Sequence, residues 1–449
     1  MPAGPPARYR LFSWEHSYFS GKARAHLRYK AQAGGLDYED VLATQELIMG
    51  LLMPATGTGA VPQLQLPDGR IIQDTSEILD VVEAAHPDPP VAPTAAGAPR
   101  QRLVSYLIEL LADEWMLVYA FWERWLGSYD DAEPSHAAFN EQQWGVIFAP
   151  DATGLERRKA GRAFFEMAFN IAAARSEPRG VYQGLVDLGV DANTGPAWKA
   201  GNDRLLAALE AHFSAHDFVL GGLPSLADFG LLAPLYAHLF RDPVASFELC
   251  TRFPLVAEWV ERTNGTNALN ARTYGQRLYS VGEDGQLVGR PATSDGGAWL
   301  PGDEIPDTLL PILAIFFEEM WPMLVSSMER LTDHIASDAH TPGGEIPGKS
   351  FTVTPGFDAL QQGGGVLCHD FTVGGVAGRR MVVPYQVWML QRVATELQAS
   401  RAAPGGEDAV TALLSGFPRG SELLDLDALL AGCKLRKEGG RLFSLEAAG

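Results

Sequence analysis

Cysteine is scarce in this chain of 449 residues, which contains three, Cys250, Cys368 and Cys433. They are widely spaced and form no C-x-x-C pair, which argues against a disulfide framework, a structural zinc site or a dithiol redox centre. The histidines likewise show no H-E-x-x-H spacing. We therefore expect a reduced compartment and no metal site.

Positive charge is also in deficit, with 35 Lys and Arg residues against 55 Asp and Glu residues and a formal net charge of -20. Such a chain repels a phosphate backbone, and no basic stripe interleaved with aromatic residues offsets that repulsion. We expect no nucleic-acid partner.

Long hydrophobic runs are missing as well. The first residues, MPAGPPARYRLFSW, lack the apolar stretch of a secretory signal, and the longest clean apolar run, LLPILAIFF, stops at Glu318 and Glu319. These absences predict a cytoplasmic protein with no membrane partner.

The composition that remains, 46% hydrophobic and 20% charged, is that of a globular protein, and the length favours two or three domains. A strand at 9–14, a helix at 20–33 and a strand at 38–43 predict a β-α-β start, followed by the hairpin VPQLQL and RII and the helix SEILDVVEAAH. The proline-rich stretch 86–99 predicts a linker. We assign residues 1–88 to this first, α/β domain.

Residues 98–275 are predicted to form an all-helical domain, because five segments carry apolar residues at spacings of three and four. One of these segments opens with Ser225 and has Asp228 three residues later, which indicates a capping box. Residues 285–449 are richer in glycine, proline and short β-like runs such as FTVTPG, HDFTVGGVAGRRMVV and CKLRKEGGRLFSLE. They predict a separate α+β domain with helices near 306–335 and 385–399.

Three motifs over residues 8–275 resemble the cytosolic glutathione transferase superfamily. LFSWEHSYFSGKARAHL resembles the first strand, the catalytic turn and the first helix of its serine-type and omega-type members, with Ser17 at the active position. Val61-Pro62 and DGRIIQDTSEI resemble the cis-proline and the acid-hydroxyl pair that hold glutathione, the pair being Asp74 and Thr75. FVLGGLPSLADFGLLAPL resembles the capping box of the helical domain.

The resemblance implies a thioredoxin-like N-terminal domain, an all-α transferase domain and an added α+β region. A free thiol has a pKa near ~8.5, so such an enzyme must stabilise the thiolate. Ser17 would donate a hydrogen bond to the sulfur, and the N-terminus of the first helix would add a favourable field. Val61 would bind the cysteinyl backbone, a cis bond at Pro62 would present that backbone, and Asp74 and Thr75 would bind the γ-glutamyl amine and carboxylate.

An ordinary explanation of the same turn stays open, since a serine before a helix is commonly a cap residue. Tyr18 stands where the family usually has proline, and His16 and Ser20 are neighbouring candidates. We expect Ser20 to be the helix cap and Ser17 to be the thiol partner.

An aromatic stripe in the first long helix is the candidate surface for the second substrate. Trp115, Tyr119, Trp122 and Trp125 recur at three- and four-residue spacing, which suits a substrate pocket or, alternatively, a core or domain interface. Asp113 and Glu114 beside the stripe are expected to be solvated or capping.

The function that the resemblance implies is a glutathione-dependent transferase. Glutathione, a co-substrate, would attack a small apolar electrophile in a conjugation, an ether or halide cleavage, or an isomerisation, as in detoxification, and the protein would be a homodimer. The alternative is a non-catalytic, transferase-like scaffold that uses residues 285–449 as a partner surface. A thiol-disulfide reductase is disfavoured because position 17 is not cysteine. The segment GGEIPGKS at 343–350 fits the phosphate-loop pattern but lacks its strand-to-helix context.

Overall fold

The structure is a computed structural model that describes residues 8–126, 128, 132–169, 187–265, 277–291, 298–346 and 367–445. The predicted β-like run at 351–356, the end of the predicted helix at 170–175 and residues 347–350 of the phosphate-loop pattern lie outside these ranges. The remaining predicted elements can be compared with the structure directly.

The N-terminal domain is built on a four-stranded mixed sheet with strand order β2-β1-β3-β4. Strand β1 is parallel to β2 and antiparallel to β3, which is antiparallel to β4. Buried Leu11 of β1 lies opposite buried Leu64 of β3, so one face of the sheet joins the core. The elements are β1 (Tyr9–Ser13), α1 (Tyr18–Gly34), β2 (Tyr38–Leu42), the helical segment α2 (Gln45–Leu47, Ile48–Leu52 and Met53–Thr56), β3 (Gln63–Gln65), β4 (Ile71–Gln73) and α3 (Thr75–Ala85). This order confirms the predicted β-α-β start, hairpin and covering helix.

The second region is helical. Its elements are α4 (Pro99–Leu110), a π-helical turn (Leu111–Trp115), α5 (Met116–Leu126), α6 (Ala137–Phe148), α7 (Gly154–Phe169), α8 (Gly195–Phe213), α9 (Leu226–Pro234) with a π-helical turn (Leu235–Phe240), α10 (Pro243–Arg252) and α11 (Pro254–Asn264). The predicted capping box is present, with Ser225 as the cap of α9 and Asp228 accepting from the Ser225 backbone N–H at 2.8 Å. The sequence pattern did not predict α6 or α10.

The third region, which we call the extension, contains both strands and helices. Its elements are β5 (Arg277–Val281), β6 (Leu287–Pro291), two short 3-10 turns (Pro301–Asp303 and Asp307–Leu309), α12 (Leu310–Ile315) with a π-helical turn (Phe316–Met320), α13 (Trp321–Ile335), β7 (Cys368–Val373), β8 (Val376–Met381), α14 (Pro384–Ala402), α15 (Gly406–Leu414), a 3-10 turn (Gly420–Asp425), α16 (Leu426–Leu430), β9 (Leu435–Glu438) and β10 (Arg441–Ser444). The strands form antiparallel hairpins. The predicted α+β character is thus confirmed.

The extension shares its hydrophobic core with the helical domain. Helix α14 packs along α4. Buried Leu107 of α4 and buried Leu390 of α14 belong to one continuous apolar cluster. The extension is therefore an integral part of the folded chain, whereas the sequence pattern indicated a separate unit.

The helical stretch Asp307–Ile335 is long and apolar enough to span a bilayer by length and composition. Of its most apolar 18-residue window, 56% is buried inside the protein. Burial on this scale is what a core helix shows.

His212 near the end of α8 links the helical domain to the extension and makes folding sensitive to acid. Its Nδ1 lies 2.9 Å from Thr308 Oγ1 and its Nε2 lies 3.3 Å from the Phe218 carbonyl oxygen. Burial, with a smaller contribution from His216, lowers the pKa of His212 to about 4. An unfolded histidine has a pKa near ~6.5, so protonation favours the unfolded chain as the pH falls from that value towards 4.

We expect His212 to reduce the free energy of unfolding by about 2 kcal/mol between pH 7 and pH 5. Urea unfolding at both pH values measures the loss, and His212→Gln should show a smaller loss by that amount. An equal pH dependence of wild type and variant would contradict this assignment.

Candidate functional site

Ser17 lies at the junction of β1 and α1, where the chain turns from strand to helix. It is the N-cap of α1, and its hydroxyl oxygen accepts a hydrogen bond from the Ser20 backbone N–H at 3.3 Å. The expectation that Ser20 caps the helix is therefore wrong. The helix begins at Tyr18, so Ser20 is its third residue, whose backbone N–H needs a side-chain acceptor. The Ser20 hydroxyl is buried and accepts from the Trp14 N–H at 3.2 Å.

The Ser17 hydroxyl also meets the second predicted motif. It donates to the Val61 carbonyl oxygen at 3.2 Å, across 44 residues of sequence. Val61 precedes Pro62 through a cis peptide bond, as expected. The structure therefore brings together two residues that were predicted from separate motifs.

Asp74 and Thr75, the predicted γ-glutamyl ligands, lie at the start of α3. Asp74 is the N-cap residue, and its Oδ1 accepts from the Ser76 N–H at 3.0 Å, while Thr75 is the first residue of the helix. Both are buried. Their position at a helix N-terminus suits a negatively charged group at this edge of the site.

The second carboxylate oxygen of Asp74 is already engaged by the extension. Asp74 Oδ2 accepts a hydrogen bond from the Tyr385 hydroxyl of α14, and Lys437 Nζ of β9 lies 2.9 Å from the same oxygen. Burial alone would raise the pKa of Asp74, but the Lys437 ammonium and the Tyr385 hydroxyl more than offset that effect and hold the pKa below its usual value. Asp74 is therefore an ionised carboxylate that already has a cation as its partner.

Tyr18, which replaces the usual proline, points into the helical domain. Its side chain is buried, and its hydroxyl donates to the Ala112 carbonyl oxygen at 2.6 Å. Its ring stacks on Phe121 and meets His238 edge-on. Tyr18 thus ties the Ser17 turn to the helical domain.

His16 directly precedes Ser17 in the same turn and is packed inside the protein. Its ring is buried and meets Trp14 and Phe139 edge-on, and its backbone carbonyl accepts from Arg124 at 2.7 Å. Burial is the largest cause that lowers the pKa of His16 well below its usual value, so the ring is neutral at pH 7. His16 helps to fix the turn from which Ser17 projects.

Two family models match the chain in the order that the fold requires. Residues 11–90 match the glutathione S-transferase N-terminal domain, and residues 191–267 match the glutathione S-transferase C-terminal domain. The first match contains Ser17, Val61 and Asp74, and the second contains the capping box. The chain therefore contains both domains of the glutathione S-transferase superfamily.

Solved structures of other proteins are similar to about three fifths of this transferase-like chain. The beta-etherase LigF from Sphingobium sp. strain SYK-6 has 19% identity and a TM-score of 0.37, over 59% of this chain and 98% of its own. A glutathione S-transferase from Methylobacterium radiotolerans, in complex with glutathione sulfonate, has 21% identity and a TM-score of 0.34, over 61% and 98%. No curated protein matches the chain. At identities of 19% and 21%, the substrate of neither protein can be assigned to this chain.

The aromatic stripe of this transferase-like chain is an interface with the extension. Trp115 and Tyr119 are buried, and both line a cavity of about 10 Å³ that Val373 of the extension also lines. A cavity of this size holds at most one water molecule. The rings of Trp115 and Trp198 lie 4.4 Å apart, and Trp122 meets Tyr119 edge-on at 5.8 Å. Trp115 and Tyr119 therefore lie at a domain interface in this structure, which is the alternative explanation of the stripe. A substrate-lining role for Trp122 stays a prediction.

The sequence pattern did not predict a buried ionic cluster that lies in this transferase-like fold. Lys22 of α1 donates to Glu109 Oε1 at 2.7 Å, to Asp113 Oδ2 at 2.6 Å and to Ser76 Oγ at 3.2 Å. Burial raises the pKa of Asp113 to about 7 against the opposing effect of Lys22. Asp113 and Glu114 are both buried, so the expectation that they are solvated or capping is wrong. A signal was present, since acidic residues inside a strongly apolar helix are rarely buried without a cation.

Within the described ranges, no group of three or more His, Cys, Asp and Glu side chains is placed to hold a metal ion. Cys250 is exposed, Cys368 is half-buried and Cys433 is buried, and all three are free thiols. The polar groups that could hold a ligand at the site are thus hydroxyl, carboxylate and backbone groups.

Proposed function

We propose that this protein is a glutathione-dependent transferase in which Ser17 assists the thiolate. The observation that carries the proposal is the 3.2 Å hydrogen bond between the Ser17 hydroxyl and the Val61 carbonyl at the N-terminus of α1. A peptide bound along the Val61 backbone would have its cysteine close to the Ser17 hydroxyl. The matched N-terminal domain model supports glutathione as that peptide.

The local electrostatics of α1 favour an anion beside Ser17. The helix has 17 residues, and its first turn carries no acidic residue that would weaken the positive N-terminal field. A hydroxyl donor and a helix N-terminus together lower a thiol pKa by roughly one to two units, which brings it near neutrality. Ser17 would then keep a useful fraction of glutathione as thiolate at pH 7.

Ligand binding would change the partner of the Ser17 proton. In the structure the Ser17 hydroxyl donates its hydrogen bond to the Val61 carbonyl oxygen. The backbone N–H of a bound cysteinyl residue would use the same carbonyl oxygen as its acceptor. When the cysteinyl N–H donates to Val61, the Ser17 hydroxyl can turn to the sulfur. Ser17 thus stabilises the charge without accepting the thiol proton, which leaves to solvent.

The thiolate would then attack an electrophilic carbon of a small apolar molecule. The sulfur forms a new bond to carbon, and the leaving group departs with the electron pair of the bond that breaks. Conjugation, ether or halide cleavage and isomerisation share the attack of the thiolate. A cytoplasmic location, a role in detoxification and a homodimeric state belong to the same proposal.

Titration with glutathione tests the proposal directly. We expect saturable binding of glutathione and of S-methylglutathione, because both carry the backbone that Val61 would bind. Ultraviolet thiolate absorbance should appear with glutathione and not with the methylated compound, with an apparent thiol pKa roughly one to two units below ~8.5. Absence of binding at millimolar concentrations of both compounds would contradict the proposal.

The second candidate is a non-catalytic scaffold, and the engagement of Asp74 by Tyr385 and Lys437 favours it. A scaffold needs no open site, and the extension would supply the surface for a partner protein. It predicts a stable complex with another protein and no thiolate absorbance. The two candidates therefore differ in the result of the titration.

A further inference from the structure

The hairpin formed by β9 and β10 places a cation on the carboxylate that glutathione would use. Lys437 Nζ lies 2.9 Å from Asp74 Oδ2 and 2.9 Å from Glu77 Oε1. The Lys437 side chain is 8% exposed and the Asp74 side chain 3% exposed. The contact is therefore a buried ion pair, in contrast to the exposed ion pairs that contribute little.

The hairpin is held from both sides, so Lys437 is positioned by the fold. Leu435 at the start of β9 exchanges two hydrogen bonds with the Gln391 side chain of α14, of 2.6 and 2.9 Å. At the tip, a Cβ atom added to Gly57 would lie 3.0 Å from the Gly439 carbonyl oxygen. Gly57 lies in the loop that leads to Val61, so the hairpin extends from Asp74 to the approach of the cis-proline.

The lysine ammonium has the same charge and the same three N–H donors as the α-ammonium of a γ-glutamyl group. Around it, Trp388 provides an aromatic face 4.6 Å from Nζ, and the Tyr385 hydroxyl donates to the same carboxylate oxygen. Asp74 is 4% exposed, so a second ammonium has no route to it while the hairpin is in place. Lys437 thus occupies the position that a ligand amine requires.

We propose that the β9–β10 hairpin is an intramolecular competitor of glutathione, with Lys437 in the place of the γ-glutamyl ammonium. The proposal rests on the proposed function, because it concerns the same site. Glutathione binds with its amine on Asp74 when Lys437 has left that carboxylate. The apparent affinity of the protein for glutathione is the affinity of the open form multiplied by the fraction of molecules in which the hairpin is open.

Glu77 lowers the cost of moving the Lys437 ammonium away from Asp74. Its side chain is 42% exposed, and it is the second carboxylate partner of Lys437. Lys437 can therefore leave Asp74, stay paired with Glu77 and become more hydrated. The Asp74 carboxylate would then be neutralised by the incoming ammonium, so no buried charge is left alone.

Calorimetric titration of the full chain with glutathione tests the proposal in three proteins: wild type, Lys437→Met and Lys434→Met. Methionine keeps the apolar stem of lysine and removes the ammonium. Lys434 is the matched control, because it precedes the same hairpin, is exposed, and has its nearest acidic partner, Asp427 at 3.8 Å, within the extension. We expect Lys437→Met to bind glutathione at least tenfold more tightly than wild type and Lys434→Met to bind as wild type does.

The possible outcomes separate the two proposals. If wild type binds glutathione clearly and Lys437→Met binds it no more tightly, the proposal that the hairpin is a competitor is overturned. The proposed function is then unaffected. Absence of binding in all three proteins overturns both. Lys437→Gln, which removes the ammonium and keeps a polar side chain, provides a second test in case Lys437→Met is poorly folded. It should also bind more tightly than wild type, and an unchanged or lower affinity would count against the competitor.

Discussion

Replacement of Ser17 by alanine is expected to lower kcat/KM for glutathione and an activated aryl halide by about 10-fold near neutral pH. The alanine variant loses the donor to the sulfur but keeps the helix field, so the thiol pKa rises by roughly one unit and the thiolate fraction falls in proportion. The helix N-terminus remains. The measurement is the pH profile of kcat/KM together with the ultraviolet thiolate absorbance of bound glutathione.

Two control variants separate this catalytic effect from the loss of the helix cap. Ser17→Thr keeps both a hydroxyl and a cap, so the pH profile should return towards that of wild type. Ser20→Ala removes the buried acceptor of the Trp14 N–H and should reduce stability while the pH profile stays unchanged. If Ser17→Ala and Ser20→Ala shift the profile equally, the assignment of Ser17 is wrong.

Replacement of Asp228 by alanine is expected to lower the free energy of unfolding by about 3 to 5 kcal/mol. Oδ1 accepts from the Val219 N–H and from Trp259 Nε1, each at 3.0 Å. Oδ2 accepts from the Ser225 N–H at 2.8 Å and from the Ser225 hydroxyl at 2.7 Å. All of these donors are buried, so the alanine variant leaves them without an acceptor. Urea unfolding followed by tryptophan fluorescence measures the loss.

Ser225→Ala is the matched control for the capping box. It removes one hydroxyl and leaves the Asp228 carboxylate with its other donors, so the expected loss is about 1 kcal/mol. Burial raises the pKa of Asp228 to about 6, with the donors acting in the opposite direction, so the carboxylate is ionised at pH 7. A loss for Asp228→Ala no larger than that for Ser225→Ala would show that the carboxylate is not the centre of this hydrogen-bond network.

Local patterns predicted the parts of the site that are encoded locally. The strand-to-helix turn around Ser17 and the cis-proline after Val61, which the resemblance implied, each occupy a few consecutive residues, and both were predicted in their places, whereas the cap at Asp74 was not predicted. The resemblance to one superfamily placed them in a common site. The cap assignment to Ser20 was wrong by one helical turn, because the ends of a helix are the least certain part of any pattern.

Long-range pairings could not be predicted in the same way. Lys22 gave no sign in the sequence that it would neutralise Glu109 and Asp113, which lie 87 and 91 positions later. Lys437 reaches Asp74 across 363 positions, and the β-like run that contains Lys437 was predicted without any partner. A local pattern predicts that a hairpin forms, whereas its docking depends on the shape and charge of distant surfaces.

The distance in sequence between Asp74 and Lys437 also sets an order in time during protein synthesis. At roughly 5 to 20 residues per second, a ribosome translates Lys437 about 20 to 70 s after Asp74. N-terminal domains generally fold first as the chain emerges, so Ser17, Val61 and Asp74 can assemble before their cover exists. Under the proposed function, a nascent chain would therefore meet glutathione with its site uncovered, the same state that the proposed opening of the hairpin would produce in the folded protein.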